Sequence, residues 1–285
     1  MRDDLRDDDA ACRRRSRRRI GRGRCLRASS ETGETSKDDD ENGNGSGDAS
    51  DHAASILPPV PDDDNAFDDA AIARLKLAAE EVAWLTGRGY PLETVGEIVA
   101  SHHALSAAQR AALACGTCSE PQYRRRAARE LEPEDVAKRP IAVDGIDAVA
   151  ALEAALGGRH VLQTLDGTVR AFAVDRARYV PGVHADAAID RLLAAARELR
   201  PSLVKVYLDE GSTGAQDLAA RFSDRAKSQK AKVEVALVPD AAKALRKERQ
   251  VVTGDAETLD ACAGWLNLVG RIAEAVPGAK IVRLQ

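Results

Sequence analysis

Aromatic residues are scarce in this chain, at 3% of its 285 residues. Exposed rings can therefore act only to a small extent as stacking platforms for nucleic-acid bases. No stretch approaches the run of about eighteen apolar residues that a transmembrane helix needs, so the sequence predicts no membrane span. The positively charged N-terminus has no apolar segment after it, which argues against a secretory signal.

Cysteine is also sparse. The five cysteines are Cys12, Cys25, Cys115, Cys118 and Cys262. This odd number is unlike a disulfide framework and favours a reducing, cytoplasmic compartment. Cys115 and Cys118 follow His102 and His103, which suggests zinc. However, adjacent histidines on a helix point about 100° apart. A zinc site needs four convergent ligands, so zinc or redox chemistry is the weaker interpretation.

Charge is concentrated in blocks near the N-terminus. Residues 1–27 carry a net charge of +6, residues 28–65 carry −10, and residues 66–285 are neutral. Such a composition buries too little apolar surface to fold, so residues 1–65 are predicted to form a disordered tail. Its arginine block, Arg13–Arg19, fits either a nucleic-acid-binding arm or a charge-paired solvated tail, and the second is favoured. The neutral remainder has no overall field that would attract nucleic acid.

Residues 66–135 show four short helical patterns and are predicted to form a small helical module. Ser106 and Gln109 have the spacing of a capping box at the start of the third helix. Two short helices joined by a tight turn suggest a helix-turn-helix. The third helix offers only Gln109 and Arg110 as polar side chains for base recognition, which is little for that role.

Residues 138–285 alternate between strand and helix patterns, which predicts an α/β domain. The expected architecture is a three-layer sandwich with a mostly parallel sheet and one inserted hairpin. The hairpin is placed around Asp166-Gly167 with a two-residue type I′ turn. A single long helix is expected over residues 256–275, followed by a last strand at 280–284.

Acidic residues follow several of the predicted strands. Asp144, Asp209, Asp240 and Asp255 fall at the carboxyl ends of strands, where ligands of open parallel sheets bind. Asp260 lies about one helical turn beyond Asp255. Oxygen ligands without histidine or cysteine favour Mg²⁺ or Mn²⁺. The alternative is that these aspartates are helix N-caps, which suits Asp240 and Asp255 better than Asp144.

A glycine-bounded turn could bind phosphate. Ser212, Thr213 and Gly214 lie between a strand and a helix, where free backbone N–H groups bind anions. Arg170 is a further candidate for contact with a phosphate backbone. The turn lacks the lysine of a P-loop and the spacing of a dinucleotide fingerprint, so no nucleotide cofactor is expected. A plain strand-to-helix turn explains the same residues.

The order of the strand-end motifs resembles that of PIN-like nucleases. The motifs are Val143-Asp144-Gly145, Leu208-Asp209 followed by Ser212-Thr213-Gly214, and Val251-Val252-Thr253-Gly254-Asp255. Over residues 67–285 the chain also resembles a prokaryotic family, domain of unknown function 434, with a helical module before an α/β module. The resemblance to the nucleases implies a metal-dependent ribonuclease. It gives Asp144, Asp209 and Asp255 catalytic roles, and these three with Asp260 as metal ligands. Relatives usually carry Asn where this chain has Asp147, which marks either a retained polar contact or a degenerate site.

The sequence therefore predicts a divalent-metal-dependent ribonuclease that uses metal-activated water and no covalent nucleophile. The alternative is a non-catalytic phosphate- or nucleic-acid-binding module on the same fold. A protein-interaction role for the helical module is a third interpretation. The substrate RNA and the oligomeric state are left open.

Overall fold

A computed structural model describes residues 66–172 and 174–285 of the chain. The predicted disordered tail, with its arginine block and two of the cysteines, lies outside these described residues.

Five helices precede the first strand: α1 (Asp69–Gly87), α2 (Leu92–His102), α3 (Ala107–Gly116), α4 (Glu120–Ala127) and α5 (Pro133–Val136). The predicted capping box of α3 is present. The Gln109 backbone N–H donates to the Ser106 hydroxyl at 3.3 Å, and the Ser106 N–H donates to the Gln109 side-chain oxygen at 2.9 Å. The Gln109 amide is buried and donates to the Ala66 carbonyl, so it is not free to contact a base.

Seven strands follow in the described residues: β1 (Ile141–Asp144), β2 (His160–Gln163), β3 (Val169–Ala171), β4 (Val204–Asp209), β5 (Val233–Val238), β6 (Val251–Val252) and β7 (Lys280–Arg283). The helices between them are α6 (Gly145–Leu156), α7 (Ala185–Glu198), α8 (Ala215–Gln229), α9 (Ala241–Leu245), α10 (Ala256–Ala261) and α11 (Leu268–Glu274), with a 3₁₀ turn at Arg176–Arg178. Within the described ranges, none of the helices combines the length and the apolar character needed to cross a bilayer.

Four strands form a parallel sheet in the order β5-β4-β1-β6. Side chains alternate between its two faces. Val143 and Val206 pack into the core formed with α6, α7, α8 and α11. Ala142 and Tyr207 contact the opposite cluster, to which α9 and α10 contribute. Helices therefore cover both faces of a parallel sheet, which is consistent with a three-layer sandwich.

The predicted hairpin forms, and its strands lie outside the four-stranded sheet. β2 pairs antiparallel with β3 and parallel with β7, which gives a separate three-stranded sheet. Leu162 of β2 and Val282 of β7 pack into the same core cluster as Leu75 of α1 and Leu113 of α3. One face of the second sheet therefore packs against the helical module, whereas Val161 and Val169 pack into the core of the α/β part.

The predicted two-residue turn of the hairpin is wrong. The connection runs over residues 164–168, and only Gly167 in it has a positive φ, of 85°. A type I′ turn requires positive φ at both central residues. Asp166 organises the longer turn instead, since its Oδ1 accepts hydrogen bonds from the Thr164 hydroxyl at 2.5 Å and from the Thr168 N–H at 3.1 Å.

The expected helix over residues 256–275 is interrupted between α10 and α11, at residues 262–267. Trp265 lies in this break and is fully buried. Its backbone N–H donates to the Arg129 carbonyl at 3.0 Å, its carbonyl accepts from the Leu131 N–H at 2.8 Å, and its indole N–H donates to the Arg126 carbonyl at 2.8 Å. The backbone N–H and carbonyl of Trp265 could not make these bonds to another segment if they were part of a helix. The helix is therefore interrupted where Trp265 is buried.

Gly145 should be sensitive to substitution because α6 begins very close to β4. A Cβ atom on Gly145 would lie 2.5 Å from Leu208 Cδ2 and 2.7 Å from Val206 Cγ1. We expect Gly145→Ala to lower the free energy of unfolding by about 1–3 kcal/mol, measured by urea denaturation. Gly96→Ala is the matched control, since a Cβ atom there would have no neighbour within 4 Å and the helix of α2 should gain up to about 1 kcal/mol. Equal effects of the two substitutions would contradict the close approach.

Candidate functional site

The carboxyl ends of β1 and β6 are adjacent at the point where the order of the sheet reverses. β4 and β5 are added on one side of β1, and β6 on the other. Ligand sites of open α/β sheets form at such a reversal, outside the carboxyl ends of the strands. Asp144 ends β1 and Thr253 follows β6. The Thr253 hydroxyl donates to Asp144 Oδ2 at 3.4 Å, so the two strand ends are linked at this edge.

Asp144 is also the N-cap of α6. Its side chain has no exposed surface, and its Oδ1 accepts from the Asp147 backbone N–H at 3.3 Å. Asp240 and Asp255 cap α9 and α10 in the same way. The N-cap interpretation therefore applies to all three aspartates, including Asp144, for which the sequence favoured it least.

Three carboxylates converge on the guanidinium of Arg176. Its Nη1 donates to Asp144 Oδ2 at 2.9 Å and to Asp147 Oδ1 at 2.5 Å. Its Nη2 donates to Asp144 Oδ1 at 3.0 Å and to Asp209 Oδ2 at 2.9 Å, and its Nε donates to the same Asp209 oxygen at 3.3 Å. A guanidinium has five N–H donors, and each of them is directed at a carboxylate here. We call these four residues the Arg176 cluster.

The backbone after Arg176 is held in place by two other elements. The Thr213 and Gly214 N–H groups donate to the carbonyls of Ala177 and Tyr179, each at 2.9 Å. On the other side, buried Glu153 accepts from the Tyr179 hydroxyl at 2.6 Å and from the backbone N–H at position 182 at 2.9 Å. Arg176 therefore enters the cluster from a segment with a fixed position.

The electrostatics of the cluster are dominated by burial. Burial raises the pKa of Asp144 from an ordinary 3.8 to about 7, with a further contribution from the neighbouring Asp147 carboxylate, and Arg176 offsets part of this rise. Burial alone would lower the pKa of Arg176, but Asp147 and Asp144 outweigh it, so that pKa lies above its usual range. Arg176 is therefore always charged, whereas Asp144 changes charge near neutral pH.

The predicted metal ligands do not form one group. Asp144 and Asp209 converge, as described above. Asp255 caps α10 and lines the same cavity as Asp147. Asp260 points away to α4, where its Oδ1 accepts from Arg126 Nε at 2.8 Å.

Sequence reasoning missed two members of the cluster. The motifs mark Asp147 only as a replacement for asparagine. Arg176 lies in a 3₁₀ turn with no motif around it that indicates a site.

The phosphate-binding candidates are engaged within the chain. The N–H groups of Thr213 and Gly214 bind carbonyls as described above, and the Ser212 N–H donates to the Asp209 carbonyl at 3.0 Å. Arg170 Nη1 donates to the Cys115 carbonyl at 2.9 Å. This arrangement leaves no N–H of residues 212–214 for an anion, so it does not support the predicted phosphate cradle.

A cavity of about 1050 Å³ opens beside the cluster, between the helical module and the edge of the sheet. Asp147, Arg176 and Asp255 line one side of it, and Gln122 and Arg125 of α4 line the other. Cys115 and Cys118 also line the cavity, and burial raises the pKa of the Cys118 thiol to about 11. A ligand in this cavity would therefore contact both the Arg176 cluster and residues of the helical module.

Buried Arg126 joins α4 to the α/β part of the chain. It is 2% exposed and donates to Asp166 Oδ2 at 2.6 Å and to both carboxylate oxygens of Asp260 at 2.8 Å. The pKa of Asp260 falls below its usual value because hydrogen bonds from Arg126 and Gln122 outweigh the effect of burial. The role of Asp260 in the structure is thus to hold the helical module in place.

Loss of Arg126 should destabilise the fold strongly, because buried Asp166 would lose its hydrogen-bonded charged partner and keep the more distant Arg170, at 3.6 Å. We expect Arg126→Met to lower the free energy of unfolding by about 3–5 kcal/mol. Arg125→Met, at the exposed neighbouring position, should change it by less than about 0.5 kcal/mol. Urea denaturation followed by circular dichroism measures both, and similar values for the two variants would contradict this role of Arg126.

The stability of the protein should fall as pH rises through the range in which Asp144 ionises. The folded-state pKa of about 7 lies above the ordinary 3.8, so between these values the folded state binds more protons than the unfolded state. The stabilisation from protonated Asp144 is complete below about pH 4 and is lost as pH rises through about 7. The Asp144→Asn variant should not lose stability over this pH range. The Asp224→Asn variant, changed at an exposed position of α8, should lose stability as the wild type does. Urea denaturation from pH 4 to pH 8 tests this, and parallel curves for wild type and Asp144→Asn would contradict it.

Comparison with known proteins identifies two family models along the chain. The model described as "Protein of unknown function (DUF434)" matches residues 74–129, within the helical module. The model described as "Domain of unknown function (DUF5616)" matches residues 133–271, which include the whole parallel sheet. The two matches meet between α4 and α5.

A similar protein is found among curated sequences. The uncharacterized protein MJ0935 of Methanocaldococcus jannaschii is 25% identical over 202 residues, which cover 71% of this chain and 96% of that protein. No solved structure matches the chain. The two models and the archaeal protein together support an uncharacterised family, and in this chain the segment that matches the DUF434 model is followed directly by the segment that matches the DUF5616 model.

Proposed function

We propose that the protein is a divalent-metal-dependent hydrolase of phosphodiester bonds, with RNA as its substrate. One observation carries the proposal: carboxylates from β1, α6 and β4 converge on a single cationic group at the reversal point of the sheet. A buried acidic group with a raised pKa, next to a cavity at such a point, is typical of catalytic sites.

The donor set has the chemistry that a hard cation requires. Its members are carboxylate oxygens, without histidine or sulfur, and such ligands favour Mg²⁺ or Mn²⁺. These oxygens already surround a cation, at 2.5–3.3 Å from the guanidinium nitrogens. Among residues 66–172 and 174–285 no group of three or more potential ligands is arranged to hold a metal as it stands. In this arrangement the carboxylate oxygens of Asp144, Asp147 and Asp209 accept hydrogen bonds from Arg176 instead.

In this proposal Asp144, Asp147 and Asp209 hold the metal. When bound, the ion supplies an activated water and stabilises negative charge on the phosphate. Asp144 is oriented by Thr253 and by the Asp147 N–H, and Asp209 Oδ1 is fixed by the Ala241 N–H at 2.7 Å. Ligands fixed by such surrounding hydrogen bonds need little reorganisation to bind. Asp260 has no place in this set because Arg126 and Gln122 occupy it.

The cavity offers the path for a nucleic-acid strand. Its volume of about 1050 Å³ is slightly above the range of about 300–1,000 Å³ that is usual for ligand pockets. Arg125 faces it and makes no ion pair within the described part of the chain, so its charge is free for a phosphate. Tyr90 also lines the cavity and is 58% exposed, which leaves one ring for stacking on a base.

A second candidate is a non-catalytic phosphate- or nucleic-acid-binding module. The observation that favours it is the saturation of all five N–H donors of Arg176, which stabilises the cluster without any metal. In that case Arg125 and Tyr90 would contact a ligand, and the cluster would have a structural role.

The two functions are separated by RNA cleavage measured in parallel with RNA binding. Wild-type protein should cleave a mixed-sequence single-stranded RNA in the presence of Mg²⁺ or Mn²⁺. Addition of EDTA should stop this cleavage. Asp144→Asn should slow cleavage by about two orders of magnitude, since even small displacements of reacting groups have effects of this size. Asp224→Asn should cleave at the wild-type rate.

Equal rates for wild type and Asp144→Asn would rule out the catalytic assignment. RNA bound with micromolar affinity by both proteins, without metal-dependent cleavage, would instead support the non-catalytic module.

A further inference from the structure

We propose that Arg176 is an internal competitor of the divalent cation, so that its guanidinium limits metal binding at Asp144, Asp147 and Asp209. This inference rests on the metal-binding part of the proposed function, but it does not depend on hydrolysis. It identifies the residue that sets how much metal the site requires.

The guanidinium and a metal ion need the same oxygen atoms. A divalent ion binds carboxylate oxygens at about 2.0–2.6 Å. Both oxygens of Asp144, Oδ1 of Asp147 and Oδ2 of Asp209 already accept hydrogen bonds from Arg176. Two cations at this position would also repel each other. Occupancy by Arg176 and occupancy by metal are therefore mutually exclusive at these oxygens.

The charges of the cluster favour replacement of Arg176 by a metal ion over permanent exclusion of the ion. Three carboxyl groups face one guanidinium, whose single positive charge can neutralise only one carboxylate. A divalent cation neutralises the carboxylates more completely than Arg176 does. Arg176 should consequently raise the metal concentration at which the site fills, without preventing it from filling.

The geometry also allows the Arg176 side chain to rotate out of the cluster. The backbone beyond it is fixed through Ala177 and Tyr179, as described above, so exchange requires only rotation of the long arginine side chain. Arg176 is 29% exposed and lies on the wall of the cavity. The carboxylates of Asp175 and Asp255 lie on the same wall and offer alternative partners for the displaced guanidinium.

The test is the Mn²⁺ affinity of a graded series of variants, measured by isothermal titration calorimetry on the full chain. Arg176→Met removes all five donors and should bind Mn²⁺ about tenfold more tightly than wild type, or better, a typical size for coupling between two ligands of one site. Arg176→Lys keeps the positive charge but has three N–H donors. Its Mn²⁺ affinity should lie between those of wild type and Arg176→Met. Arg178→Met removes a charge from the same 3₁₀ turn at an 81% exposed position and should change affinity less than about twofold.

The outcomes separate this inference from the function on which it rests. Equal Mn²⁺ affinity in wild type and Arg176→Met overturns the competition and leaves metal binding intact. Absence of Mn²⁺ binding in both proteins overturns the metal site as well. Tighter binding by Arg176→Met but not by Arg178→Met supports the proposal.

A second measurement uses wild type alone, in case Arg176→Met folds poorly. The Nε–H NMR signal of Arg176, assigned by its loss in Arg176→Lys, should move when Mg²⁺ is added at concentrations that saturate the site. A signal that stays fixed while Mg²⁺ binds overturns the proposal.

Discussion

The buried carboxylate of Asp144 is the constraint on which the rest of the site depends. A charged group without exposed surface must be paired or must lose its charge. Every neighbouring element meets this requirement in part: the start of α6 donates a backbone N–H, the turn after β6 donates the Thr253 hydroxyl, and the 3₁₀ turn supplies Arg176. The pKa near 7 shows that these partners do not fully offset the burial. The site therefore retains electrostatic free energy that a more strongly charged ion could release.

A second buried charge is paired where the helical module contacts the α/β part. Arg126 is buried on α4, and its charge is matched by Asp166 in the hairpin turn and by Asp260 on α10. Leu162 and Val282 of the small sheet then bury their side chains in the core of the helical module. Polar pairing fixes the orientation at this contact and apolar burial supplies the free energy. The cavity beside the Arg176 cluster has walls from both modules, so its shape depends on this contact.

How far the sequence predicted the structure depends on whether an element was specified locally. Periodic patterns and capping boxes predicted α1 to α4 and the parallel strands, because spacing and caps act within a few residues. The helix break at Trp265 and the separate small sheet were missed, since both result from packing between distant segments. The strand-end rule brought Asp144 and Asp209 together correctly. It could not place Arg176, because a lone arginine in an irregular segment carries no pattern that reveals its partners.

Asp147 pairs directly with Arg176 and is close enough to Asp144 to affect its charge. Asp147 Oδ1 accepts the shortest hydrogen bond that this guanidinium makes, and the Asp147 charge is one cause of the raised pKa of Asp144. An asparagine there would still accept a hydrogen bond, but it would weaken the pairing with Arg176 and relieve the repulsion on Asp144. The aspartate thus strengthens the internal guanidinium and adds a charge that attracts a divalent ion. Both effects act on the same few oxygens, so in the proposed competition position 147 affects the binding of both cations.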